Sequence, residues 1–547
     1  MAVLASLILR LVQLQVVRSS RLQSIAQRQR LATIVLEPHR GRLLDRRGRP
    51  LAINVESTSV YAVPSAIRDR AAFAARIAPV LGLRENEVLR RLQGGRHFAW
   101  LARKVTPELL ARITSLAFGD QIGFRTEDRR SYPGGVSAAH LLGFVGIDNQ
   151  GLAGVELAYE PTLRGKAGEA VAAHDGIGRI LVGTQRTVEA PVHGADLLLT
   201  IDQVIQHIAE RELDAAMKRT RARRGSVIVM DTRTGEILAL AARPVFDPNA
   251  GAVASPELWM NRTVSEMYEP GSTFKVFLTA AALDSGLIRP EEQFFCDGAL
   301  KVGGHVIRDG TDRTHGWQTA SDVVKNSCNI GAAQIASRLG RTTFYRYIRA
   351  FGFGEPSRID LPGEVAGLVR PPSGWLGPGL ATISFGQGIS VTPLQLLTAS
   401  TALANNGVVV RPYVVRGVRD REGRMTEVAG AQPGRRAVRP EVARAVLDIM
   451  RSAVDDGTGA LARIDGYPVA GKTGTAQKPA AGGGYDPGRY VASFLGLVPA
   501  DHPRLAVLVI LDEPTGPYYG GEIAAPVFRE VAAQTLWYLR IPPKNQF

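Results

Sequence analysis

The second half of this chain is organised around the stretch Glu269-Pro270-Gly271-Ser272-Thr273-Phe274-Lys275-Val276-Phe277. Its Pro-Gly pair breaks the chain immediately before a helix, which we predict to run to about Asp284 and to stop at Gly286. Ser272 lies at the helix N-terminus, and Lys275 falls on the same face within reach of the serine hydroxyl. The positive end of the helix stabilises an alkoxide and disfavours an ammonium, so this serine could be activated without histidine. A Ser and a Lys at this spacing are common on exposed helix turns, so the pair alone establishes no site.

A second segment with suitable chemistry is Asn326-Ser327-Cys328-Asn329. It separates a helical stretch that ends near Lys325 from another that begins near Ile330. In such a loop Ser327 could relay a proton and Asn329 could hold a substrate amide. Cys328 has two interpretations that remain open, a buried unreactive thiol or a redox-sensitive one.

A third segment, Gly471-Lys472-Thr473-Gly474-Thr475, continues the strand-like Val469-Ala470, and we predict that a strand over 469–472 passes here into a loop. Lys472 and Thr473 at a strand edge could hold a carboxylate, and Gly474 lets a substrate approach the backbone. A backbone N–H in this segment could complete an oxyanion hole with that of Ser272.

Around these segments the pattern predicts an α+β fold. An apolar strand at 227–230, a turn at 231–235 and a second strand at 236–240 form an antiparallel hairpin. Further strands are predicted at 490–497 and 505–511 and a closing helix at 524–539, with a long helical block over about 272–404. We therefore predict one antiparallel sheet that carries an inserted helical subdomain. Residues 31–190 have a mixed α+β pattern without a catalytic constellation, which favours a scaffold or interaction domain.

The composition limits the possible classes. The chain has 547 residues, 45% of them hydrophobic, enough for two to four domains, as estimated from about 150 residues per domain. The formal charge of +15 is compatible with anionic lipid or nucleic acid, but the basic residues are dispersed, so we expect no nucleic-acid partner. The two cysteines exclude a disulfide framework, and the nine histidines include no metal-spaced pair such as H-E-x-x-H, so we expect neither metal nor cofactor.

The N-terminal residues 1–17 are mostly apolar, but Arg10 interrupts them. The uncharged run is well below the roughly 20 residues that a spanning helix needs. Two interpretations remain: an amphipathic surface helix, or the last turns of a membrane anchor. We adopt the anchor remnant, followed by an interaction domain at 18–190 and a catalytic domain at 191–547.

The order Ser-x-x-Lys, Ser-x-Asn and Lys-Thr-Gly is the set found in penicillin-binding proteins and serine β-lactamases. The chain resembles a class B penicillin-binding protein, a monofunctional D,D-transpeptidase of bacterial cell-wall synthesis, and the likeness covers nearly all of it. The first domain carries similar phrases at 40–52 and 151–165. The segments 143–149, 384–388 with 392–395, and 512–514 with 519–521 resemble the division and sporulation branch, which we prefer to the elongation branch.

The resemblance implies a pedestal domain before a β-lactamase-like transpeptidase domain, and it implies roles for single residues. Ser272 would attack the penultimate D-Ala carbonyl of a stem peptide, Lys275 would take its proton, and Ser327 would pass a proton to the departing D-Ala. Asn329 would orient Lys275 and the substrate amide. The terminal carboxylate would bind to Lys472 and Thr473 beside Gly474, and the oxyanion would face the backbone N–H groups of Ser272 and Thr475. A nearby Lys472 would depress the pKa of Lys275.

The resemblance further implies residence at the inner membrane with an extracytoplasmic catalytic domain. The implied partners are peptidoglycan stem peptides, β-lactams, a SEDS-type glycosyltransferase and other division proteins.

Other classes of protein remain as alternatives. Gly466-Tyr467-Pro468-Val469-Ala470-Gly471-Lys472-Thr473 also fits the phosphate-loop pattern of ATPases. That loop needs a helix beginning at its lysine, whereas two prolines and several glycines follow Lys472, which disfavours this alternative. A catalytically silent division scaffold and a β-lactamase are further alternatives, although the intact Ser272 and Lys275 disfavour the first and the long N-terminal domain disfavours the second.

Overall fold

The computed structural model describes residues 2–20, 31–95, 97–173, 183–253, 255–310, 314–428, 434–480 and 482–544. The chain begins with the α-helix Ala2–Val12, which continues into one wider turn at Gln13–Val17. None of the helices in these ranges combines the length and apolar character that a bilayer-spanning segment requires.

The N-terminal domain is built on two sheets. The long strand Pro50–Ala62 pairs antiparallel with both Ala99–Val105 and Ile122–Ser131. A smaller sheet contains Leu31–Leu36, Gly168–Ala173 and Arg186–Glu189 in that order. The helices of this domain are Arg70–Leu81, Glu85–Arg91, Pro107–Thr114, Ala139–Leu142, Gly154–Ala158 and Glu160–Arg164.

The first long helix of this domain shows how local sequence sets these elements. It spans Arg70–Leu81, and the Asp69 side chain accepts hydrogen bonds from the first free amides at its N-terminus. Gly82 ends the helix in the left-handed conformation, with φ of 66°. The buried side chains, Phe73 and Ile77 among them, lie four residues apart and cover the sheet.

A buried ion cluster joins distant parts of the N-terminal domain. Glu156 is fully buried and accepts from Arg40 Nε at 2.6 Å and from Arg130 Nε at 2.7 Å. Arg40 also donates to Glu160 at 2.6 Å. Because Glu156, Arg40 and Arg130 are almost fully shielded from water, the loss of one partner would leave an uncompensated buried charge.

The C-terminal domain contains a five-stranded antiparallel sheet, as predicted. The three inner strands are Arg224–Asp231, Leu505–Asp512 and Tyr485–Val498, and the edges are Ile237–Arg243 and Ala470–Pro479. Alternate side chains of the inner strands enter two separate cores. The sheet is therefore covered on both faces.

One face of this sheet packs against the terminal helices Gln203–Thr220 and Ala525–Tyr538. The other face packs against the helical block, whose buried helices Lys275–Asp284 and Pro440–Asp455 share a core with Ile228 and Leu495. The other helices of the C-terminal domain are Pro256–Trp259, Arg262–Ser265, Ala320–Lys325, Asn329–Leu339, Arg341–Ala350, Gly379–Ser384, Pro393–Ala404 and Gly520–Ile523.

A shared sheet links the two domains. The strand Asp196–Leu199 runs parallel to Leu43–Leu44 and antiparallel to Val415–Arg419. Leu43–Leu44 also pairs with Pro50–Ala62, and Val415–Arg419 pairs with Met425–Glu427. Hydrogen bonds of one ladder therefore connect the N-terminal domain to the domain that carries the candidate site.

Two sequence predictions need correction. The loop predicted after residue 472 is wrong, because the edge strand continues to Pro479 and pairs with Tyr485–Val498 through most of the segment expected to be a loop. The helical block also contains four short strands, paired as Gln293–Cys296 with Gly316–Thr319 and Ala299–Val302 with His305–Arg308. Strands of four residues are too short for a period-2 pattern to stand out from the surrounding helices.

Candidate active site

Ser272 lies in the first turn of the buried central helix, as predicted. The turn Gly271–Phe274 is a 3₁₀ helix, and the α-helix Lys275–Asp284 follows it directly. Gly271 has φ of 56°, and its amide donates to the Gly386 carbonyl at 3.1 Å. This contact requires glycine on both sides, because a Cβ at Gly386 would lie 2.1 Å from the carbonyl oxygen of Gly271. The serine is thus held by its own backbone and half-buried at the start of the helix.

Lys275 is fully buried, and its Nζ lies among four oxygen atoms. Nζ is 3.0 Å from Ser272 Oγ and 2.7 Å from Asn329 Oδ1. It is also 2.5 Å from the Ser327 carbonyl oxygen and 3.3 Å from Ser327 Oγ. The spacing predicted from sequence is therefore confirmed: the amine can reach the serine hydroxyl.

Burial lowers the pKa of Lys275 to about 8, and the nearby charge of Asp309 partly opposes this shift. The predicted direction is right, but the main cause is burial rather than the expected charge of Lys472. The repulsion between the two amines is mutual, and burial together with the charge of Lys275 holds the pKa of Lys472 well below its usual range. For Lys275, the loss of hydration in a fully enclosed site therefore lowers the pKa more than the repulsion from the second amine does.

The Ser327–Asn329 loop connects the helices Ala320–Lys325 and Asn329–Leu339. Ser327 has φ of 63°, a left-handed conformation that is strained for a serine. This backbone geometry lets both the carbonyl and the hydroxyl of one residue face Lys275. Cys328 then begins the second helix, and its Sγ accepts a hydrogen bond from the Gly331 amide at 3.3 Å.

The edge strand Ala470–Pro479 carries the third set of predicted residues. Lys472 is fully buried and donates to Ser327 Oγ at 2.9 Å and to the Thr473 carbonyl at 3.0 Å. Thr473 Oγ1 is 3.1 Å from Thr458 Oγ1 and 3.2 Å from Lys472 Nζ. A row of hydrogen bonds thus joins the edge strand to the Ser327–Asn329 loop across the cleft.

Gly474 and Thr475 bring the edge strand against the serine turn. A Cβ at Gly474 would lie 2.3 Å from Ser493 Oγ and 2.9 Å from a Thr273 methyl group, so a larger residue would push the strand away. Thr475 Oγ1 accepts from the Gly520 amide at 3.1 Å. At Gly271 a Cβ would lie 3.1 Å from the Thr475 carbonyl oxygen, which shows how closely the two backbones approach.

Several residues that support this site were not predicted from the sequence. Asp309, only 4% exposed, influences both buried lysines. Thr458 contacts Thr473, and Gly386 supports the serine turn. Gly386 and Gly520 could have been predicted to support the site, because each glycine marks a position where two backbones approach closely. The sequence around Asp309 and Thr458 has no feature that separates them from other polar residues.

Both cysteines are buried close to the loop. The Sγ atoms of Cys296 and Cys328 and a carboxylate oxygen of Asp309 lie within 4.8 Å of one another. Burial and the charge of Asp309 help to raise the pKa of the Cys328 thiol to about 12. As long as no cation is bound there, this favours the unreactive thiol over the redox-sensitive one.

The phosphate-loop alternative is contradicted by the structure. Lys472 lies within an antiparallel strand rather than at the start of a helix. A phosphate cradle needs successive backbone amides at a helix N-terminus, whereas the backbone of Lys472 is paired in register with Leu495.

A serine beside a buried amine, a second serine and an edge-strand lysine define this protein as a serine acyltransferase by fold and site. Comparison with known proteins agrees. Residues 225–533 match the model of the penicillin binding protein transpeptidase domain, and residues 35–199 match the penicillin-binding protein dimerisation domain.

Two relatives cover almost the whole chain. Stage V sporulation protein D of Bacillus subtilis is 36% identical over 549 residues, which is 98% of this chain and 84% of the relative. The peptidoglycan D,D-transpeptidase FtsI of Escherichia coli is 33% identical over 561 residues, covering 100% of this chain and 92% of the relative.

Among solved structures, penicillin binding protein 3 of Mycobacterium tuberculosis, complexed with aztreonam, superposes with a TM-score of 0.73 at 28% identity. The match covers 93% of this chain and 98% of that one. The chain belongs to the penicillin-binding protein family, and its architecture is the pedestal and transpeptidase arrangement of the class B members.

Proposed function

We propose that this protein is a peptidoglycan D,D-transpeptidase of septal cell-wall synthesis that works through an acyl-enzyme on Ser272. The observation that carries the proposal is the unbroken contact path from Ser272 Oγ to Lys275 Nζ, then to Ser327 Oγ and on to Lys472 Nζ, at 3.0, 3.3 and 2.9 Å. Such a path connects a nucleophile, a base and a carboxylate-binding cation within one cleft.

In the first half of the reaction Ser272 Oγ attacks the penultimate D-Ala carbonyl, and Lys275 Nζ takes the hydroxyl proton. With its pKa near 8, Lys275 is partly unprotonated at neutral pH and can accept that proton. The backbone N–H groups of Ser272 and Thr475 stabilise the tetrahedral oxyanion. When the peptide bond breaks, Ser327 passes its proton to the departing D-Ala nitrogen and receives in return the proton that Lys275 Nζ took from Ser272, across a distance of 3.3 Å.

In the second half an amine of a neighbouring stem peptide attacks the ester. It forms the new peptide bond, and the electron pair of the ester bond returns to Ser272 Oγ with a proton. Asn329 holds Lys275 in place through its Oδ1 and supports the substrate amide. Lys472 and Thr473, next to Gly474, bind the terminal carboxylate of the donor.

The bound carboxylate also resolves an electrostatic conflict. In the free protein Lys472 and Lys275 are both buried, and the charge of each disfavours the charge of the other. A substrate carboxylate beside Lys472 would stabilise its ammonium form and leave the free-amine form to Lys275. Donors with a terminal carboxylate therefore fit this site, and β-lactams, which carry one, fit it as well.

We place this activity at the septum because the relatives named above include a sporulation protein and FtsI. An elongation-type class B enzyme is the alternative. We further propose residues 18–190 as the pedestal and interaction domain and residues 191–547 as the transpeptidase domain. The exposed apolar side chains Val3, Leu4 and Leu7 support membrane association of the segment 1–17, with the catalytic domain outside the inner membrane. The proposed partners are a SEDS-type glycosyltransferase and other division proteins.

The direct test is mass spectrometry of the full chain after treatment with penicillin, with the modified residue mapped. We expect one adduct on Ser272, no adduct in Ser272→Ala, and a normal adduct in the neighbouring control Ser265→Ala. A persistent adduct distinguishes a transpeptidase from a β-lactamase, which would release it. An adduct elsewhere, or none, would contradict the mechanism, and absence of any adduct would favour the silent scaffold.

A further inference from the structure

Four side chains with metal-binding atoms converge behind the Ser327–Asn329 loop. Cys296 ends the strand Gln293–Cys296, Asp309 follows the strand His305–Arg308, and Cys328 begins the helix Asn329–Leu339. The two Sγ atoms and a carboxylate oxygen of Asp309 lie within 4.8 Å of one another. His315 adds its Nε2, which is 2.9 Å from Asp309 Oδ2.

Two of these atoms have unused hydrogen-bonding capacity. Asp309 Oδ1 accepts from the amides of Gly310 at 2.9 Å and Asn329 at 3.4 Å. Asp309 Oδ2 and His315 Nε2, by contrast, have no hydrogen-bond partner among the residues that the structure describes, although they lie close together. Their orientation does not meet the geometry of a hydrogen bond, so at 2.9 Å the two atoms are in contact without one. Buried polar atoms without partners are unfavourable, and a cation between them would remove that penalty.

The donor set selects among cations. Two sulfurs, one imidazole nitrogen and one carboxylate oxygen suit zinc, whereas magnesium and calcium require oxygen ligands. In tetrahedral zinc sites with bonds of about 2.0–2.3 Å, neighbouring donor atoms are about 3.3–3.8 Å apart. The two Sγ atoms and the Asp309 oxygen are within about 1 Å of that spacing. His315 Nε2, which is 2.9 Å from Asp309 Oδ2, would have to move toward the sulfur atoms to complete the site.

We propose that Cys296, Asp309, His315 and Cys328 form a structural zinc site that fastens the Ser327–Asn329 loop to the neighbouring strands. Binding is not a redox step: Zn²⁺ replaces the two thiol protons, which pass to solvent. Zinc with two thiolates and one carboxylate leaves one net negative charge, and this charge lies on the side of the two buried lysines. The site is thus compatible with the electrostatics of the cleft.

This proposal differs from the expectation of no metal, and the reason lies in the spacing. The ligands follow the pattern Cys-x12-Asp-x5-His-x12-Cys, in which neither cysteine has another ligand within about ten residues, unlike the C-x2–4-C pairs of familiar zinc motifs. Two short strand pairs and one helix start bring them together, which only the three-dimensional structure reveals.

Metal analysis of the full chain, purified without chelators, tests the proposal. We expect one zinc per chain by elemental mass spectrometry. Exchange for Co²⁺ should give the intense visible bands of a tetrahedral site together with a sulfur-to-cobalt charge-transfer band. Both thiols should resist a thiol reagent until a strong chelator is added. Zinc at background level after incubation with Zn²⁺, or a cobalt spectrum without sulfur bands, would overturn the proposal.

Matched variants separate this site from adventitious binding. Cys296→Ser and His315→Gln should each reduce the affinity for Zn²⁺ by at least about 10-fold, the loss typical of disturbed zinc ligation. His305→Gln, an exposed histidine on the adjacent strand, should keep one zinc per chain. Equal zinc binding by all three variants would refute the assignment. Should Cys296→Ser fail to fold, His315→Gln and the cobalt spectrum of the unaltered chain still decide the question. A Cys296–Cys328 disulfide in the purified chain, seen as the loss of two hydrogens, would also refute it.

Discussion

The pH dependence of acylation provides the sharpest test of the proposed base. With a pKa of about 8, the free-amine form of Lys275 rises from about 1% at pH 6 to about 90% at pH 9. If this amine takes the Ser272 proton, the second-order rate of acylation should increase about 90-fold over that range and level off above pH 8 to 9. A lysine with its ordinary pKa of 10.5 would have about 300-fold less free amine at pH 7.

The assay is the time course of labelling by a fluorescent penicillin, measured with the full chain at each pH. The sign follows from the direction of the shift: the active form is unprotonated, so activity is lost as pH falls through the pKa of Lys275. Lys275→Arg should acylate very slowly and without this rise, because a guanidinium keeps its proton. Lys325→Arg, an exchange of the same kind outside the contact path, is the control and should retain the full profile. The role of Lys275 as the base would be refuted by an acylation rate that does not change from about pH 6 to about pH 9. It would also be refuted if the Lys275→Arg variant acylated at the normal rate.

Three other predictions concern carboxylate binding, the serine turn and the pedestal. Lys472→Ala should slow acylation by donors with a terminal carboxylate by about 10- to 150-fold, the equivalent of one charged hydrogen bond. Acylation by the corresponding amides should slow far less. Equal losses of rate for both kinds of donor would contradict carboxylate binding by Lys472. Gly386→Ala should destabilise the C-terminal domain by about 2–4 kcal/mol in denaturant unfolding, because Gly386 has φ of 80° and the new Cβ would overlap the Gly271 carbonyl. An unchanged unfolding midpoint would contradict this packing. Glu156→Gln should reduce stability by about 3–5 kcal/mol by leaving Arg40 without its buried partner, while penicillin still labels Ser272; a change below about 1 kcal/mol would contradict the importance of the cluster.

Local sequence was sufficient for the elements that begin and end at strong signals. The Pro-Gly break located the turn at Ser272 and the helix behind it, and the helix ends on either side of Ser327 were predicted to within about a residue. The antiparallel hairpin at 224–243 followed from a turn between two apolar runs. In each case residues close in sequence determine the structure.

The features that could not be predicted from the sequence depend on contacts between residues that are far apart in the chain. The edge strand extends past Gly474 because it pairs with the strand Tyr485–Val498. Gly474 leaves room there for Ser493 and Thr273, and neither residue is near in sequence. The left-handed conformation of Ser327 is maintained by its contacts with two buried lysines from other elements. The pKa of Lys275 is lowered by complete burial, which spacing along a helix does not reveal.

The contacts of Ser327 indicate how recognition and chemistry are connected. In the free protein Lys472 donates to Ser327 Oγ, and Lys275 lies 3.3 Å from the same oxygen. In the proposed mechanism, a donor carboxylate bound to Lys472 would compete for the hydrogen bond that Ser327 receives from this lysine. Once that bond weakened, the Ser327 hydroxyl would be free to accept from Lys275 and to donate to the leaving nitrogen. Because the same hydroxyl contacts both lysines, we predict that acylation of Ser272 depends on a carboxylate at Lys472. A compound that lacks this group should bind but form the acyl-enzyme inefficiently.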